Sequence, residues 1–429
     1  MNRFLLPLAA LSLWPAAAHS DTLYDALASA YRNNPNLEDA RLAVRVARED
    51  SVQARAGYLP SLGVTGSYGA RNVETETTSI FGPTTSENEL EPATASVILQ
   101  QRLYTGGRRQ GEVSRARAGI EGAQYGLRSA EQQILLAAVD AYISVLRDQE
   151  IVRLRQEHVV GLTRQLAGAR RRLDVGEVSR TDVSQAQTRL AGARAALARA
   201  EADLQTSRAR YELIVGAPPE ALEPVTPPAT PASLETAIGE AEVRHPDVLR
   251  ALADRRAARA QVEIERSALR PQVSLIGRYD HTQESSVEND RSDGASAVAQ
   301  FSVPLYEGGF SRARVRQGQL NVERAGARIE AQRRQAVADV VQAWNDLVAG
   351  RDIVAAAQEQ VAAASQAVEG AERERGLGLR STLDVLDAEE ERRNAQVALA
   401  RAQAEAEFAA YALLAATGAL TVSTVGVKE

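Results

Sequence analysis

The sequence predicts a mainly α-helical chain with a transmembrane β-barrel contribution, built as a strand–strand–long helix–helix unit that occurs twice. Copies of the chain are expected to join as a trimeric α-barrel plus a 12-stranded β-barrel, four strands per chain. Three observations carry this reading. Leu103-Tyr104-Thr105-Gly106-Gly107 returns as Leu305-Tyr306-Glu307-Gly308-Gly309, 202 residues later. Each Gly-Gly is followed by an uninterrupted helical stretch in which apolar residues recur every seven positions. Each is preceded by two segments that alternate apolar and polar residues.

The offset of 202 also aligns Ala141-Tyr142 with Ala343-Trp344, Gly176 with Gly378, Asp182-Val183 with Asp384-Val385, and Gly216 with Gly418. Upstream, Asn34-Pro35 matches His245-Pro246, and Tyr58-Leu59-Pro60 matches Leu269-Arg270-Pro271, at an offset of 211. The nine-residue difference (211 − 202) therefore lies between residues 61 and 103, as extra length in one connection. A register kept over such lengths means that both copies build one rigid unit.

The elements follow in order. Residues 1–20 read as a signal peptide: Arg3, a short apolar run from Phe4 to Trp14, and Ala18-His19-Ser20 as a small-residue cleavage site. The run is too short for a membrane anchor, which takes about 20 residues. The first repeat is expected over 21–216, with a helix, a β-hairpin at 61–103, a long helix at 107–173 and a second helix at 181–214. A connector, 217–232, carries Pro218, Pro219, Pro224, Pro227, Pro228 and Pro231 and is irregular. The second repeat, 233–418, has a helix, a hairpin at 272–305, a long helix at 309–375 and a helix at 381–415, and a tail at 419–429 closes the chain.

The long helix carries Ala138, Val145, Val152, Val159, Leu166 and Leu173, and its counterpart Val340, Leu347, Val354, Val361 and Val368. A seven-residue period predicts a left-handed coiled-coil seam. At about 1.5 Å per residue, residues 107–173 make a rod of roughly 100 Å. In the strands, Leu62, Val64 and Tyr68 oppose Ser61, Thr65 and Ser67, and Ala95, Val97, Leu99 and Leu103 alternate with Ser96, Ile98, Gln100 and Arg102. The second copy sets Val273, Leu275 and Tyr279 against Gln272, Ser274 and Arg278, then Ala297, Ala299, Phe301, Val303 and Leu305 against Val298, Gln300 and Ser302. Period-two alternation over about nine residues suits a membrane-spanning strand. Four strands cannot close a barrel; two copies give eight strands, a filled interior, and three give twelve, enough for a lumen. The loops at 70–94 and 281–295, rich in Glu and Asp, are expected to be solvated, and Asp290-Arg291-Ser292-Asp293-Gly294 lacks the spaced ligands of a calcium loop.

Composition narrows the function. The formal charge is −6, or −7 once Arg3 leaves with the signal, which argues against nucleic acid. There is no cysteine, hence no disulfide and no lipidated N-terminal Cys. His158, His245 and His281 are scattered, without metal or triad spacing, and Gly376-x-Gly378 lacks the residues of a nucleotide loop. No enzyme, cofactor or metal centre is expected. The rival reading is a periplasmic coiled-coil adaptor or spacer outside the membrane, which leaves four strands of spanning length unexplained.

With these motifs in place, the chain resembles the TolC family of outer-membrane efflux and secretion channels. The likeness covers about residues 21 to 418 and rests on Asn34-Pro35 and Leu59-Pro60, the Leu-Tyr-x-Gly-Gly exits, and the Val175-Gly176 and Leu377-Gly378 turns followed by Asp-Val. It implies an unlipidated homotrimer in outer-membrane lipid, extending into the periplasm. Its implied partners are a periplasmic adaptor (membrane fusion) protein and an inner-membrane pump of the resistance-nodulation-division, ATP-binding-cassette or major-facilitator type. The role it implies is the exit duct of a tripartite efflux pump or type I secretion system. The turn tips Val175, Gly176, Leu377 and Gly378 would dock the adaptor. Asp384 and Asp387 match the family's paired aspartates at the pore entrance. Gate-closing links match Gln165 with Glu372, and Thr181-Asp182 with Arg380. Arg375 stands where the family's best-known member has a tyrosine opposite the first-turn aspartate, and an Arg375–Asp182 ion pair is expected in its place.

Physically, Asp384 and Asp387 are three apart and share a helix face, so a trimer places six carboxylates around its axis, attracting cations. Helix capping is the plainer alternative for Asp384, whose counterpart is Asp182; Asp387 has Gln185 as counterpart and no capping role.

Overall fold

The computed structural model describes residues 20–284 and 290–422. Its elements are β1 (Ser20–Asp21), α1 (Leu23–Asn33), α2 (Pro35–Ala56), β2 (Ser61–Tyr68), β3 (Arg71–Ser79), β4 (Gly82–Leu90), β5 (Ala93–Tyr104), α3 (Arg108–Asp174), α4 (Arg180–Val215) and β6 (Ala221–Leu222). The second half continues with α5 (Leu234–Arg244), α6 (Pro246–Ser267), β7 (Gln272–Gln283), β8 (Arg291–Ser302), α7 (Phe310–Gly376) and α8 (Thr382–Ala416). The expected signal segment lies outside the described residues except for Ser20, as do residues 423–429 of the tail. Helices α1 and α5 end where the residue before a proline must be extended: Asn34 has ψ 123° and His245 ψ 125°. Among the described residues, no helix is long and apolar enough to cross a membrane.

The chain divides into two compact units that cut across the two copies. One holds the described parts of Met1–Glu38, Ser129–His245 and Ala336–Glu429; the other holds Asp39–Arg128 and Pro246–Gln335. Each unit draws on both copies, because a helix with a narrow apolar seam buries it only against another element.

The second unit contains the four-stranded sheet, order β2-β5-β7-β8, antiparallel throughout. Its register lines up Leu62 with Leu99, Val64 with Val97, Val97 with Tyr279, Leu275 with Ala299 and Val273 with Phe301 on one face. Along β5 this face is the exposed one. Ala95, Val97 and Leu99 are exposed, whereas Ser96, Ile98 and Gln100 between them are half-buried. That inverts the alternation of a water-soluble hairpin, where the apolar face is covered. Leu62, Val64 and Tyr68 extend the patch at 70%, 72% and 74% exposure. A contiguous exposed apolar sheet face belongs against lipid. The sheet is anchored to its helix by Arg109, which donates to the carbonyls of Arg102 and Leu103 (both 2.8 Å) and lies 4.5 Å over the Tyr58 ring. Gly106 follows at φ +65°, and a Cβ there would sit 2.7 Å from the Ser267 carbonyl, so only glycine fits.

Three strand expectations are corrected. The loop expected at 70–94 is instead a second hairpin, β3–β4, paired from Arg71–Leu90 to Ser79–Gly82. Threonines at 75, 77, 78, 84 and 85 supply its β-propensity. Much of the loop expected at 281–295 is likewise strand, since β7 runs to Gln283 and β8 starts at Arg291; residues 285–289 lie outside the described set. Strand β8 also stops at Ser302, leaving Val303 and Leu305 outside it, because Pro304 offers no N–H to a ladder.

The first unit is helical. The middle of α3 is buried on most sides, with Leu135, Val139, Tyr142 and Val145 fully enclosed against Leu27, Leu204, Tyr211 and Leu414. The connector closes over this core: the Tyr142 hydroxyl donates to the Glu223 carbonyl (2.8 Å) and accepts from the Glu223 N–H (2.9 Å). In this unit α7 buries a thin stripe, Ala336, Val340, Ala343, Leu347, Gly350, Ala357, Ala364, Val368 and Ala371, spaced by threes, fours and sevens as the heptad requires.

Candidate functional site

The ends of the two coils are built alike. At the first, the Gly176 N–H donates to the Leu173 carbonyl (3.0 Å) and the Glu177 N–H to the Arg172 carbonyl (2.8 Å). At the second, Gly378 donates to Arg375 (3.0 Å) and Leu379 to Glu374 (2.9 Å). Gly176 at φ +81° and Gly378 at φ +76° take the left-handed turn that lets these bonds form. Val175, Leu377 and Leu379 project from the turns at 70%, 76% and 74% exposure.

Each following helix opens on a reciprocal cap. The Ser179 hydroxyl accepts from the Asp182 N–H while the Ser179 N–H donates to the Asp182 carboxylate (2.9 Å). Ser381 and Asp384 repeat this, the Ser381 N–H reaching the carboxylate at 3.0 Å. The hydrogen bonds from Ser179 and Ser381 hold both acids below the ordinary aspartate range, so each is ionised at any periplasmic pH. Asp384 thus caps its helix and still presents a full negative charge.

Asp387, one turn on, is ion-paired: Arg189 of α4 reaches across to both Asp387 and Glu390 of α8. Neither Arg189 nor Glu390 stood out as a site residue in the sequence. The signal was a charge contrast between copies, Gln185, Thr188 and Arg189 against Asp387, Glu390 and Glu391. The predicted link residues are placed as follows. Gln165 donates to Glu389 (2.7 Å) and not to Glu372. Arg380 pairs with Glu374 (2.5 Å) and Asp182 with Ser179, so neither the Arg380–Asp182 nor the Arg375–Asp182 contact forms within the chain. The Arg375 and Glu372 side chains have no ion pair among the described residues.

Thr181 lines a groove of about 640 Å³ between α3, α4 and α8, together with Arg155, His158, Leu162, Arg189 and Leu386. His158 is buried and its Nδ1 has no partner. Desolvation first, then Arg393 and Arg155, push its pKa down; Glu390 pulls the other way, and Arg189 adds a smaller downward push. The packed state therefore binds this proton less readily than an unfolded chain, so stability is lost as pH falls below about 6.5, the ordinary histidine value. Between pH 7.5 and 5 the wild type should lose more thermal stability than His158→Gln. Equal losses in melting scans of the two would refute this.

One unit has an antiparallel sheet with an apolar exposed face and two edges unpaired among the described residues, the other has duplicated coils ending in matched capped turns, and together these features define a subunit of a channel that crosses a membrane by strands. Residues 26–217 and 237–419 match the model of the outer membrane efflux protein family, and the chain belongs to that family. It is 33% identical over 415 residues to the outer membrane efflux protein BepC of Brucella suis, covering 96% of this chain and 88% of BepC. It is 25% identical over 423 residues to the outer membrane protein TolC of Escherichia coli, covering 94% and 84% of the two chains. Its fold matches the crystal structure of the Campylobacter jejuni CmeC outer membrane channel with a TM-score of 0.81 at 16% identity, over 97% of this chain and 94% of that one. The protein is thus an outer-membrane efflux channel reaching into the periplasm, an exit duct of efflux or type I secretion. Its relatives are channel proteins, and the rival reading as a periplasmic coiled-coil adaptor or spacer outside the membrane is set aside.

Proposed function

We propose that three copies close the duct, that its helical end engages a periplasmic adaptor through Val175, Gly176, Leu377 and Gly378, and that Asp384 and Asp387 line the narrowest point. The pump behind the adaptor would be of the resistance-nodulation-division, ATP-binding-cassette or major-facilitator type. The supporting observation is the open sheet. Its three pairings are all antiparallel, so β2 and β8 run in opposite directions. The β8 edge of one copy can then continue the ladder with the β2 edge of the next, again antiparallel, until a whole number of copies closes the ring. Eight strands would leave an interior filled by side chains, and twelve leave a water-filled lumen.

Near the coil turns, Glu372 and Arg375 have the free side chains that links between neighbouring copies need. Arg380, Thr181 and Asp182 would reach a neighbour only by yielding their present contacts. The test is single-channel recording of detergent-extracted protein in planar bilayers, with native mass spectrometry of the same sample. A trimer with discrete conductance steps, blocked by divalent cations from the periplasmic side, is expected. Asp384→Asn with Asp387→Asn should abolish the block. A stable monomer or dimer would overturn the trimer, and undiminished block in the double variant would overturn the carboxylate ring.

A further inference from the structure

We propose that Arg189 is the residue that sets both the closure and the charge of this constriction: it latches α4 to α8 and, in doing so, masks Asp387. The inference rests on the reading of Asp384 and Asp387 as constriction residues.

It begins with the repeat. At the 202-residue offset, Gln185, Gln187, Thr188 and Arg189 of the first copy correspond to Asp387, Glu389, Glu390 and Glu391 of the second. One helix has lost every carboxylate at these positions and gained a guanidinium; the other has four carboxylates. Capping does not account for the difference, since the capping acids Asp182 and Asp384 are present in both copies. The charges are used across the helix pair. One terminal nitrogen of Arg189 meets Asp387 and the other meets Glu390, two acids three residues apart on one face of α8. A planar guanidinium can satisfy two separate carboxylates at once, which an ammonium on a flexible stem does poorly.

The two aspartates thereby become unequal. Asp384 hydrogen-bonds only to the neutral hydroxyl and amide of Ser381, and the nearby Arg380 spends its ion pair on Glu374, so Asp384 has no counter-ion in direct contact. The Arg189 cation lies directly against Asp387 in every copy, so Asp387 itself adds little field along the axis, and the one negative charge left by sharing the guanidinium falls to Glu390, three residues further along α8. With the latch made, the cation attraction of the two aspartates rests on Asp384. When α4 and α8 part, Asp387 and Glu390 lose their counter-ion together, so widening and negative potential rise in one step. An Arg189 side chain 30% exposed makes this a pair of modest strength, as a latch that must release requires.

The test compares Arg189→Gln, Arg189→Lys, Asp387→Asn and Asp384→Asn as full-length trimers in planar bilayers. Arg189→Gln should raise conductance and lower the half-blocking concentration of divalent cations by roughly threefold or more. Arg189→Lys should leave the block near wild type while conductance rises in part. Asp387→Asn should raise conductance with little change in block, and Asp384→Asn should weaken the block strongly. If Arg189→Gln matches wild type in both readouts while Asp384→Asn weakens the block, the latch is wrong and the ring stands. Asp387→Asn weakening the block as much as Asp384→Asn refutes the masking. Block unchanged in all four variants removes the ring reading itself. Should Arg189→Gln fail to assemble, Arg189→Lys and Asp387→Asn decide the matter by the same two readouts.

Discussion

Leu99→Arg is expected to abolish assembly in the outer membrane, while Ser96→Arg, three residues away on the same strand, is expected to assemble. Leu99 lies near the middle of the 12-residue strand β5 and pairs with Leu62 on one side and Gly277 on the other. It belongs to the apolar face, which is exposed in the isolated chain. If that face meets lipid, an arginine near the bilayer midplane costs about 2–4 kcal/mol, incurred once per copy. Ser96 points to the opposite face, between Thr65 and Asp280. An arginine there faces the lumen beside a carboxylate, so it should leave the trimer intact and move ion preference toward anions. Semi-native gels of outer-membrane fractions read the first effect, and reversal potentials in a salt gradient read the second. The orientation of the sheet is wrong if Leu99→Arg yields trimer at the wild-type level while Ser96→Arg does not.

The alternation that supports this experiment was legible in the sequence because apolar residues recur at every second position over part of each strand, as with Leu62 and Val64 in β2, Ala95, Val97 and Leu99 in β5, and Val273 and Leu275 in β7. Strands β3 and β4 were not legible that way. Their ladder is held by threonines and by contacts such as Asn72 to Glu87 (3.1 Å), with Glu74 directly opposite Glu87. Like charges across a strand pair are unfavourable, so an acidic Thr-rich stretch reads as a loop unless β-propensity is weighed against charge. The coils were visible through their seven-residue period and their turns through glycine and the Ser-x-x-Asp caps. The partition into two units was not, because each unit takes matched lengths from both copies and no composition change marks the crossing in α3 or α7. At the proposed constriction, the family resemblance singled out Asp384 and Asp387, and the counterpart Gln185 set Asp387 apart from a capping acid. Its partner Arg189 was hidden, since pairing between α4 and α8 depends on how two helices pack and not on spacing within either.

Tyr142 and Trp344 occupy the same place in the repeat, yet they are expected to differ sharply on substitution. Tyr142 is fully buried, tilted against Tyr211 with ring centroids 6.3 Å apart, and its hydroxyl holds both backbone groups of Glu223. Trp344 is only partly buried, against a smaller cluster around Val340, Leu347 and Leu413. Tyr142→Ala should therefore destabilise the first unit by about 3–5 kcal/mol, the usual range for removing a large aromatic from a core. Tyr142→Phe separates the two contributions, because it keeps the ring and removes both hydrogen bonds to the connector. Each unsatisfied buried group costs about 1–3 kcal/mol, unless water reaches it as the connector lifts. Lifting has its own readout: Tyr142→Phe should speed proteolytic cleavage within the Pro-rich segment from Ala217 to Ala232, whereas Trp344→Phe should not. The asymmetry has a physical origin, in that the first copy runs into the Pro-rich connector, and that connector has to be pinned over α3 for the core to stay dry. If Trp344→Ala lowers the melting temperature as much as Tyr142→Ala, the two copies share the load and the connector has no special hold on the first.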